Sequence, residues 1–394
     1  MSDGSYNFFD AQTRSRRWSF LFGLGFLLSL AMLFFLVKFV FGLPLDRPSS
    51  LSPDLQHLRR ANMAPSSAMA VLMRKAATGD GLGLLAVGLV AVVAVVRVAA
   101  IKKGGSTYLA SIIRAAPLGD GGLFPGEAGK RREKLLADVV AEMALAASIP
   151  EPEIFILDQE ERINAMAAGM SRDDYAVILT KGALKYLDRD ELAALLAHEY
   201  SHLLNGDTVH YSVMSGYLRG LYVLESLGRG VVRKSRRPGH LILGLAVIVL
   251  GAFASLLGRV LQAAFSRSRE RLADASAAQY TRNPKALAGV LKKIGGQETP
   301  RGRFLRGFPE YNHFFMAEPD EKTRTASDAS WWKSIFSAHP PVAERVWDLE
   351  PDWDGWYWDF DKNPVDFLSE RAPVDASSPA PGSVPASPPP AGRP

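Results

Sequence analysis

Apolar positions along the chain follow three different rhythms. Two early runs are almost unbroken: residues 18–41, with Lys38 near the far end, and residues 81–100, rich in Val, Leu and Ala and closed by Lys102 and Lys103. At ~1.5 Å per residue either run is long enough to cross a hydrocarbon core of ~30 Å, and a lysine at a helix end can reach the headgroups. They predict two transmembrane helices with a connecting loop over 18–101, preceded by a cytoplasmic segment, 1–17. A cleavable signal peptide is the competing reading of the first run, but that run exceeds an ordinary h-region and no small-x-small site follows it. Arg14, Arg16 and Arg17 before the first run and the lysine pair after the second suggest that both flanks are cytoplasmic. Arg47, Arg59, Arg60, Arg74 and Lys75 in the loop between them weaken that asymmetry.

Between 121 and 210 the rhythm becomes globular. REKLLADVVAEMALAASI predicts an amphipathic helix, with Leu135, Val139, Met143 and Leu145 or Ala146 at helical spacing, stopped by Pro150 and Pro152. EIFIL at 153–157, RINAMA at 162–167 and YAVILT at 175–180 are strand candidates separated by charged or Gly-containing turns. A helix over 189–205 follows, with Asp188 as N-cap, Glu191 three residues on completing a capping box, and Gly206 at the C′ position.

The third rhythm alternates again. A mixed segment at 212–232, a basic turn RKSRRPGH at 233–240 and an apolar run at 241–258 predict an antiparallel helical hairpin over 211–262 that enters the membrane or lies on it. The charges Arg219, Glu225 and Arg229 oppose insertion, although Glu225 and Arg229 can pair at i, i+4. Helix resumes through Glu270 to Tyr280, within a second globular part at 263–350. Beyond 351 lies an extension, and from about 372 a Pro, Ala and Ser composition that cannot bury a core and is expected to be disordered.

Composition narrows the chemistry. The 394 residues include no cysteine, which removes disulfides, thiolate nucleophiles and Cys-based zinc clusters together. Any metal must be held by His, Asp or Glu. The net charge of +5 could suggest nucleic acid, but the basic residues are scattered or flank apolar runs, as expected beside lipid headgroups, so no nucleic-acid partner is expected.

His198-Glu199-Tyr200-Ser201-His202 lies on the capped helix and forms an H-E-x-x-H pattern. Residues four apart differ by only ~40° around a helix axis, so both imidazoles leave one face and can hold one ion, while Glu199 points ~100° away, to its side. That placement suits a base acting on water at the metal. The bland alternative is a polar helix face that matches by chance. Catalytic zinc needs a third protein ligand and an open fourth position. A metzincin extension would need Gly at 205 and His at 208, where Asn205 and Thr208 stand, and His210 is out of register. The remaining common solution is a Glu from a second helix with an Asp one turn later that orients a ligand His. Glu270 and Asp274 offer that pair, although an E-x-x-x-D pair alone is usually solvated surface.

Taken together, LADVVAEMALAASIPEPEIFILD, INAMAAG, LTKGAL, DELAALLAHEYSHLLNGD, FSRSRERLAD and AHPPVAERV resemble, in order, the blocks of the membrane zinc metallopeptidase family that includes the bacterial heat-shock protease HtpX and the eukaryotic CAAX prenyl proteases. The resemblance covers roughly residues 131–346. It implies an α+β, mainly helical gluzincin-type metallopeptidase domain with a small sheet, attached to transmembrane helices. It further implies one Zn2+ per chain held by His198, His202 and Glu270, with Glu199 as general base and Asp274 behind a ligand. It suggests that Asn164 lies on an edge strand contacting the substrate backbone, the alternative being a turn residue. By the same resemblance His339, with Arg345 six residues on, could stabilise an oxyanion; otherwise it is a loop His before a Pro-Pro turn. Arg271 departs from the family, which usually has an aromatic there.

With far fewer apolar runs than the prenyl proteases, the chain is closer to the HtpX-like branch. That branch implies a multi-pass protein of the cell inner membrane, in contact with the lipid bilayer. Its polypeptide substrates would be damaged or misfolded membrane proteins, cut by a cytoplasmic catalytic domain. A proteolytically silent scaffold or chaperone on the same fold is the alternative, and intact Glu199 argues against it. An ion relay would place its His and Glu inside apolar spans, whereas His198 lies in a charge-rich helix.

Overall fold

The computed structural model describes residues 79–119, 123–234, 238–297, 315–316 and 339–369, with scattered helical positions between 24 and 37. The expected first span at 18–41 is thus described only in part. The loop that follows it, part of the basic turn and the tail from 372 lie outside the described residues.

Among the described residues the elements are, in order, α1 Gly79–Ile112, β1 Ala116–Pro117, α2 Gly126–Ala147, β2 Glu153–Leu157, β3 Ala165–Ala168, β4 Ala176–Thr180, α3 Lys181–Tyr186, α4 Arg189–Leu204, α5 Asp207–Lys234, α6 Pro238–Thr281, α7 Pro284–Gly296 and α8 Val342–Leu349. The chain divides into two compact units. One holds residues 98–215 and those from 259 onward; the other holds residues 21–97 and 216–258. These boundaries fall within five residues of the 211–262 expected for the hairpin.

In the first unit the sheet order is β1-β2-β4-β3, with β2 and β4 parallel and both outer strands antiparallel to their neighbours. Two strands match the sequence expectation. The third starts later, at Ala165 rather than 162, and the reason is local. The amide of Arg162 is satisfied by Glu160 Oε1, that of Ile163 by Gln297 Oε1 and that of Asn164 by Thr180 Oγ1, so these residues need no ladder partner. β1 was not anticipated; it is two residues long and ends on a proline.

Against the sheet lies α4, which packs on β3, α2 and α7. Its capping box is complete: Asp188 Oδ1 accepts from the Glu191 amide at 2.9 Å and Glu191 Oε2 accepts from the Asp188 amide at 2.8 Å. The same Glu191 oxygen takes a buried bond from Lys293 Nζ of α7 at 2.7 Å. Leu192, Ala194, Leu195, Leu196, Ala197, Tyr200 and Leu203 are all buried, so this helix is enclosed on nearly every side, as a central core helix must be. Helix α2 covers it with Leu136, Val139, Val140, Met143 and Ala144. Of the positions expected from sequence Val139 and Met143 are buried, whereas Leu145 and Ala146, offered as alternatives, are both exposed, Leu145 at 83%; 136, 140 and 144 complete the buried stripe. Residues 351–369, expected only as an extension, also join this unit. Trp353 and Tyr357 enter its core, and Phe367 donates its amide to the Lys185 carbonyl.

The second unit is helical and apolar both inside and outside. Leu33, Val37, Val90, Leu221, Leu224, Leu250 and Ala254 pack inside, while Leu84, Leu85, Val92, Val95, Val96, Ile242, Leu245, Val249 and Phe253 face outward. Among the described residues, two helices are long and apolar enough to cross a membrane, at 84–112 and 244–281, by length and composition alone. The C-terminal half of α5 and the first half of α6 run antiparallel, because close approaches pair Leu218 and Leu221 with Gly258, Glu225 with Gly251, and Gly228 with Gly244 and Ile248. Glycines set that spacing: a Cβ on Gly228 would meet Ile248 N at 2.7 Å and Gly244 O at 2.8 Å. Backbone atoms cannot swing aside as a side chain can, and small residues are what allow helices to approach closely where no water drives them together. Gly230, two residues on, has no atom within 4 Å of such a Cβ.

Gly228→Val should therefore lower the thermal stability of the detergent-purified chain, followed by fluorescence-detected size exclusion after heating. Gly230→Ala should leave it unchanged or raise it by up to ~1 kcal/mol through helix propensity. Equal effects at the two positions would show that the helices do not pack on Gly228.

Candidate active site

Two turns of helix separate the anchored Glu191 from His198, so the cap that fixes the start of α4 also fixes the imidazoles. His198, Glu199 and His202 are all buried. The facing carboxylate comes from α6: Glu270 Oε2 lies 3.6 Å from His198 Nε2, and its Oε1 lies 3.5 Å from His202 Nε2. The two Nε2 atoms are 3.3 Å apart. Bonds of ~2.0–2.2 Å arranged tetrahedrally put ligand atoms ~3.3–3.6 Å from one another, and these three separations match that spacing. His198, His202 and Glu270 also form the one group of three or more such side chains, among the described residues, whose donor atoms converge closely enough to share an ion.

Each imidazole is held from behind. His198 Nδ1 lies 3.0 Å from Asp274 Oδ1, and Asp274 is gripped by Arg345, whose Nε and Nη2 donate to its two oxygens at 2.8 and 2.7 Å. His202 Nδ1 lies 2.9 Å from Asp207 Oδ2, and Asp207 Oδ1 lies 2.6 Å from Arg269 Nη1. A carboxylate only accepts, so His202 Nδ1 carries a proton toward Asp207, and Asp274 stands at Nδ1 of His198 in the same way; in the neutral imidazoles this leaves each Nε2 lone pair at the point of convergence. Asp207 and Arg269 were not singled out in the sequence. The available signal was an acidic residue immediately after the C′ glycine: Gly206 takes φ 68°, which L-residues resist, and so α5 begins beneath the end of α4.

The other sequence candidates divide. Arg345 is buried and fully engaged: besides Asp274, its Nη1 donates to the Met316 carbonyl at 2.8 Å and lies 3.3 Å from Glu270 Oε2. His339 Nδ1 lies 3.2 Å from Glu270 Oε2, so it adjoins the site. Asn164 sits just ahead of the edge strand β3. It is buried, and its Oδ1 accepts from the amides of Ala165 at 3.1 Å and Met316 at 2.9 Å, which tethers Met316 to the strand.

The charges at this point do not cancel. Around the two imidazoles Asp207, Glu199, Glu270 and Asp274 are all buried, against two buried guanidiniums, Arg269 and Arg345. With every carboxyl ionised and every imidazole neutral the carboxylates exceed the guanidiniums by two, and buried unpaired charge is costly, so protons on the imidazoles and on Glu199 reduce that excess. Both oxygens of Glu199 are buried without a well-formed hydrogen bond, the amide of Ala167 on β3 supplying only a weak one. Burial accordingly raises the Glu199 carboxyl above its ordinary range, although His198 and His202 oppose the rise. At His198 burial acts to lower the pKa, but bonds to Asp274 and Glu270 outweigh it and push the imidazole up to about 9. The pattern is that of a chain that lacks about two positive charges at one buried point and partly replaces them with protons.

The family model described as Peptidase family M48 matches residues 130–351. A protease HtpX homolog from Dictyoglomus turgidum is 34% identical over 227 residues, covering 56% of this chain and 70% of that protein. One from Pyrococcus furiosus is also 34% identical, over 214 residues, covering 53% and 70%. A crystal structure of S. mikatae Ste24p aligns over 75% of this chain and 65% of that one at 17% identity, with a TM-score of 0.37, too low to support any argument here. The matched segment contains both helices that meet at the buried site and runs through Arg345, so the family assignment and the geometry concern the same residues: the chain belongs to peptidase family M48.

Proposed function

We propose that this chain is a membrane-bound zinc endopeptidase, with His198, His202 and Glu270 as metal ligands and Glu199 as general base. The observation that carries the reading is the convergence of two imidazole nitrogens and one carboxylate at tetrahedral spacing, in a buried pocket where carboxyls outnumber guanidiniums. Two imidazoles with one carboxylate form a borderline set that suits zinc over magnesium. Bound there, zinc supplies a Lewis acid that polarises the scissile carbonyl and lowers the pKa of water toward neutrality. Glu199, beside the ligands and without a firm partner of its own, takes the proton of the attacking water and delivers it to the leaving amine. Asp274 and Asp207 keep both histidines in the tautomer whose Nε2 is free. His339, next to Glu270, is the side chain placed to steady developing negative charge on the substrate oxygen. A substrate in extended form lies along the outer edge of β3 beyond Ala165, whose carbonyl accepts from the Met316 amide; among the described residues β4 is the one strand paired with β3.

The membrane part of the reading is supported by the outward-facing Leu, Val, Ile and Phe side chains of the second unit and by its two apolar helices. Both spans and the hairpin cross the bilayer, and the peptidase unit is cytoplasmic. His202 and Glu270 must meet, so the chain between them crosses an even number of times. The names of its relatives support polypeptide substrates, and we infer that these include damaged or misfolded membrane proteins.

Three outcomes test the reading. Glu199→Gln should lose hydrolysis of casein or a membrane-protein substrate by ~10²-fold or more while retaining zinc. Glu270→Ala should lose the zinc itself; if the two variants exchanged these phenotypes, the assignment of ligand and base would be wrong.

Zinc uptake should also expel a proton. In the metal-free chain His198 titrates at about 9, so at pH 7 it is protonated, and only its neutral form can bind. Apparent affinity should therefore fall on the order of tenfold per pH unit below that value and level off above it. Calorimetry in buffers of different ionisation heat would count the proton, and a buffer-independent heat would refute the coupling.

For the topology, single cysteines at the exposed positions Lys234 and Lys103 in this cysteine-free chain can be probed on intact cells with an impermeant thiol reagent. Labelling of Lys234→Cys but not Lys103→Cys is expected. Protection of both until the cells are permeabilised would mean that the hairpin does not span.

A further inference from the structure

We propose that Asp207, held by Arg269, is a positioning residue for His202, equal in function to the Asp274–Arg345 pair behind His198. The inference rests on the metal reading above and adds two residues to it. Asp207 Oδ2 lies 2.9 Å from His202 Nδ1, and the second oxygen, Oδ1, lies 2.6 Å from Arg269 Nη1. All three side chains are buried, with Asp207 1% exposed and Arg269 4%. An imidazole can present its Nε2 lone pair to an ion only if its proton stays on Nδ1, and a fixed carboxylate at Nδ1 enforces both that tautomer and the ring plane. A free aspartate could swing to other donors; the guanidinium on its far oxygen prevents this, as Arg345 does for Asp274 by gripping both of its oxygens.

The two pairs differ in how they are built. Asp274 and Arg345 come from α6 and α8, and the pair is bidentate. Asp207 is the first residue of α5, immediately after the left-handed Gly206, and Arg269 is the residue next to the ligand Glu270 on α6. Helix α6 therefore reaches His198 through Asp274 and reaches His202 through Arg269 and Asp207. A substitution at Asp207 or Arg269 leaves all three metal ligands chemically intact, so a loss of metal affinity reports what stands behind His202 and not a missing ligand.

The experiment uses the full-length chain in detergent and measures zinc affinity by competition with a chromophoric chelator, alongside the melting temperature. Asp207→Asn is expected to bind zinc ~10- to 100-fold more weakly than the wild type. Arg269→Gln should show a loss of the same order, Arg269→Lys a smaller one, and the Asp207→Asn, Arg269→Gln double variant no more than Asp207→Asn alone, because the two act as one unit. Lower melting temperatures with zinc affinity within twofold of wild type would overturn the proposal, since a merely structural tie between helices moves stability and not affinity. Should Asp207→Asn fail to fold, Arg269→Lys decides, and unchanged affinity there overturns the proposal equally. A wild-type chain that takes up no zinc would overturn the metal reading and this inference with it, whereas a zinc-binding wild type with indifferent variants removes the clamp alone.

Discussion

Everything in the peptidase unit is arranged around one electrostatic problem: four carboxylates and two imidazoles are buried together with only two guanidiniums to balance them. Desolvating that much negative charge is unfavourable unless positive charge joins it, and protons held by His198 and Glu199 supply part of it. The surrounding fold can be read as the scaffold that makes the arrangement tolerable. Helix α4 is enclosed by α2, α7 and β3, its start is fixed by the Asp188–Glu191 box, and that box is tied to α7 through Lys293. Each further layer removes freedom from side chains that would otherwise rotate toward water.

The same balance explains why protonation and metal binding compete. Without a metal, His198 keeps a proton up to about 9 because Asp274 and Glu270 outweigh the cost of burying the charge. Glu199 is pushed the other way, toward its neutral form, by burial without firm bonds. Burial without firm bonds and a raised carboxyl are features common to groups that exchange protons in enzyme sites. The two shifts thus have one cause, a shortage of positive charge, expressed at an imidazole and at a carboxylate.

How much of this was legible in the sequence depends on how local each interaction is. His198, Glu199 and His202 share one helix, and Glu270 and Asp274 share another, so spacing placed each set on one helix face, while joining the two sets rested on the resemblance to a known family. The capping box was equally readable, because its two partners are three residues apart. Asp207 and Arg269 were not readable, since they lie 62 positions apart and meet only when α5 and α6 fold together. The start of β3 was misjudged because Glu160, Gln297 and Thr180 satisfy amides that a strand pattern assigns to a ladder. Residues 351–369 looked like an extension because a run of Asp, Trp and Tyr has no helical or strand period, yet Trp353 and Tyr357 enter the core, with the Tyr357 ring against Gly295 of α7 and the Trp358 backbone against Gly296. Composition reported polarity there; packing decided the outcome.

Helix α6 shows why the site tolerates so little rearrangement. Residues four apart on a helix lie ~40° apart in angle and one turn apart in height, so Glu270 and Asp274 face the same partner, and both approach His198. Neighbouring residues diverge by ~100°, so Arg269 leaves the helix to one side, where the start of α5 offers Asp207. One ligand and the supports of both histidines therefore depend on a single rigid rotation of a single helix. Turning α6 by one residue would withdraw Glu270 from both imidazoles, remove Asp274 from His198 and separate Arg269 from Asp207 together. Such a site can be formed completely or lost, but a partly assembled version would bury the same carboxylates without their partners, which is the least favourable state of all.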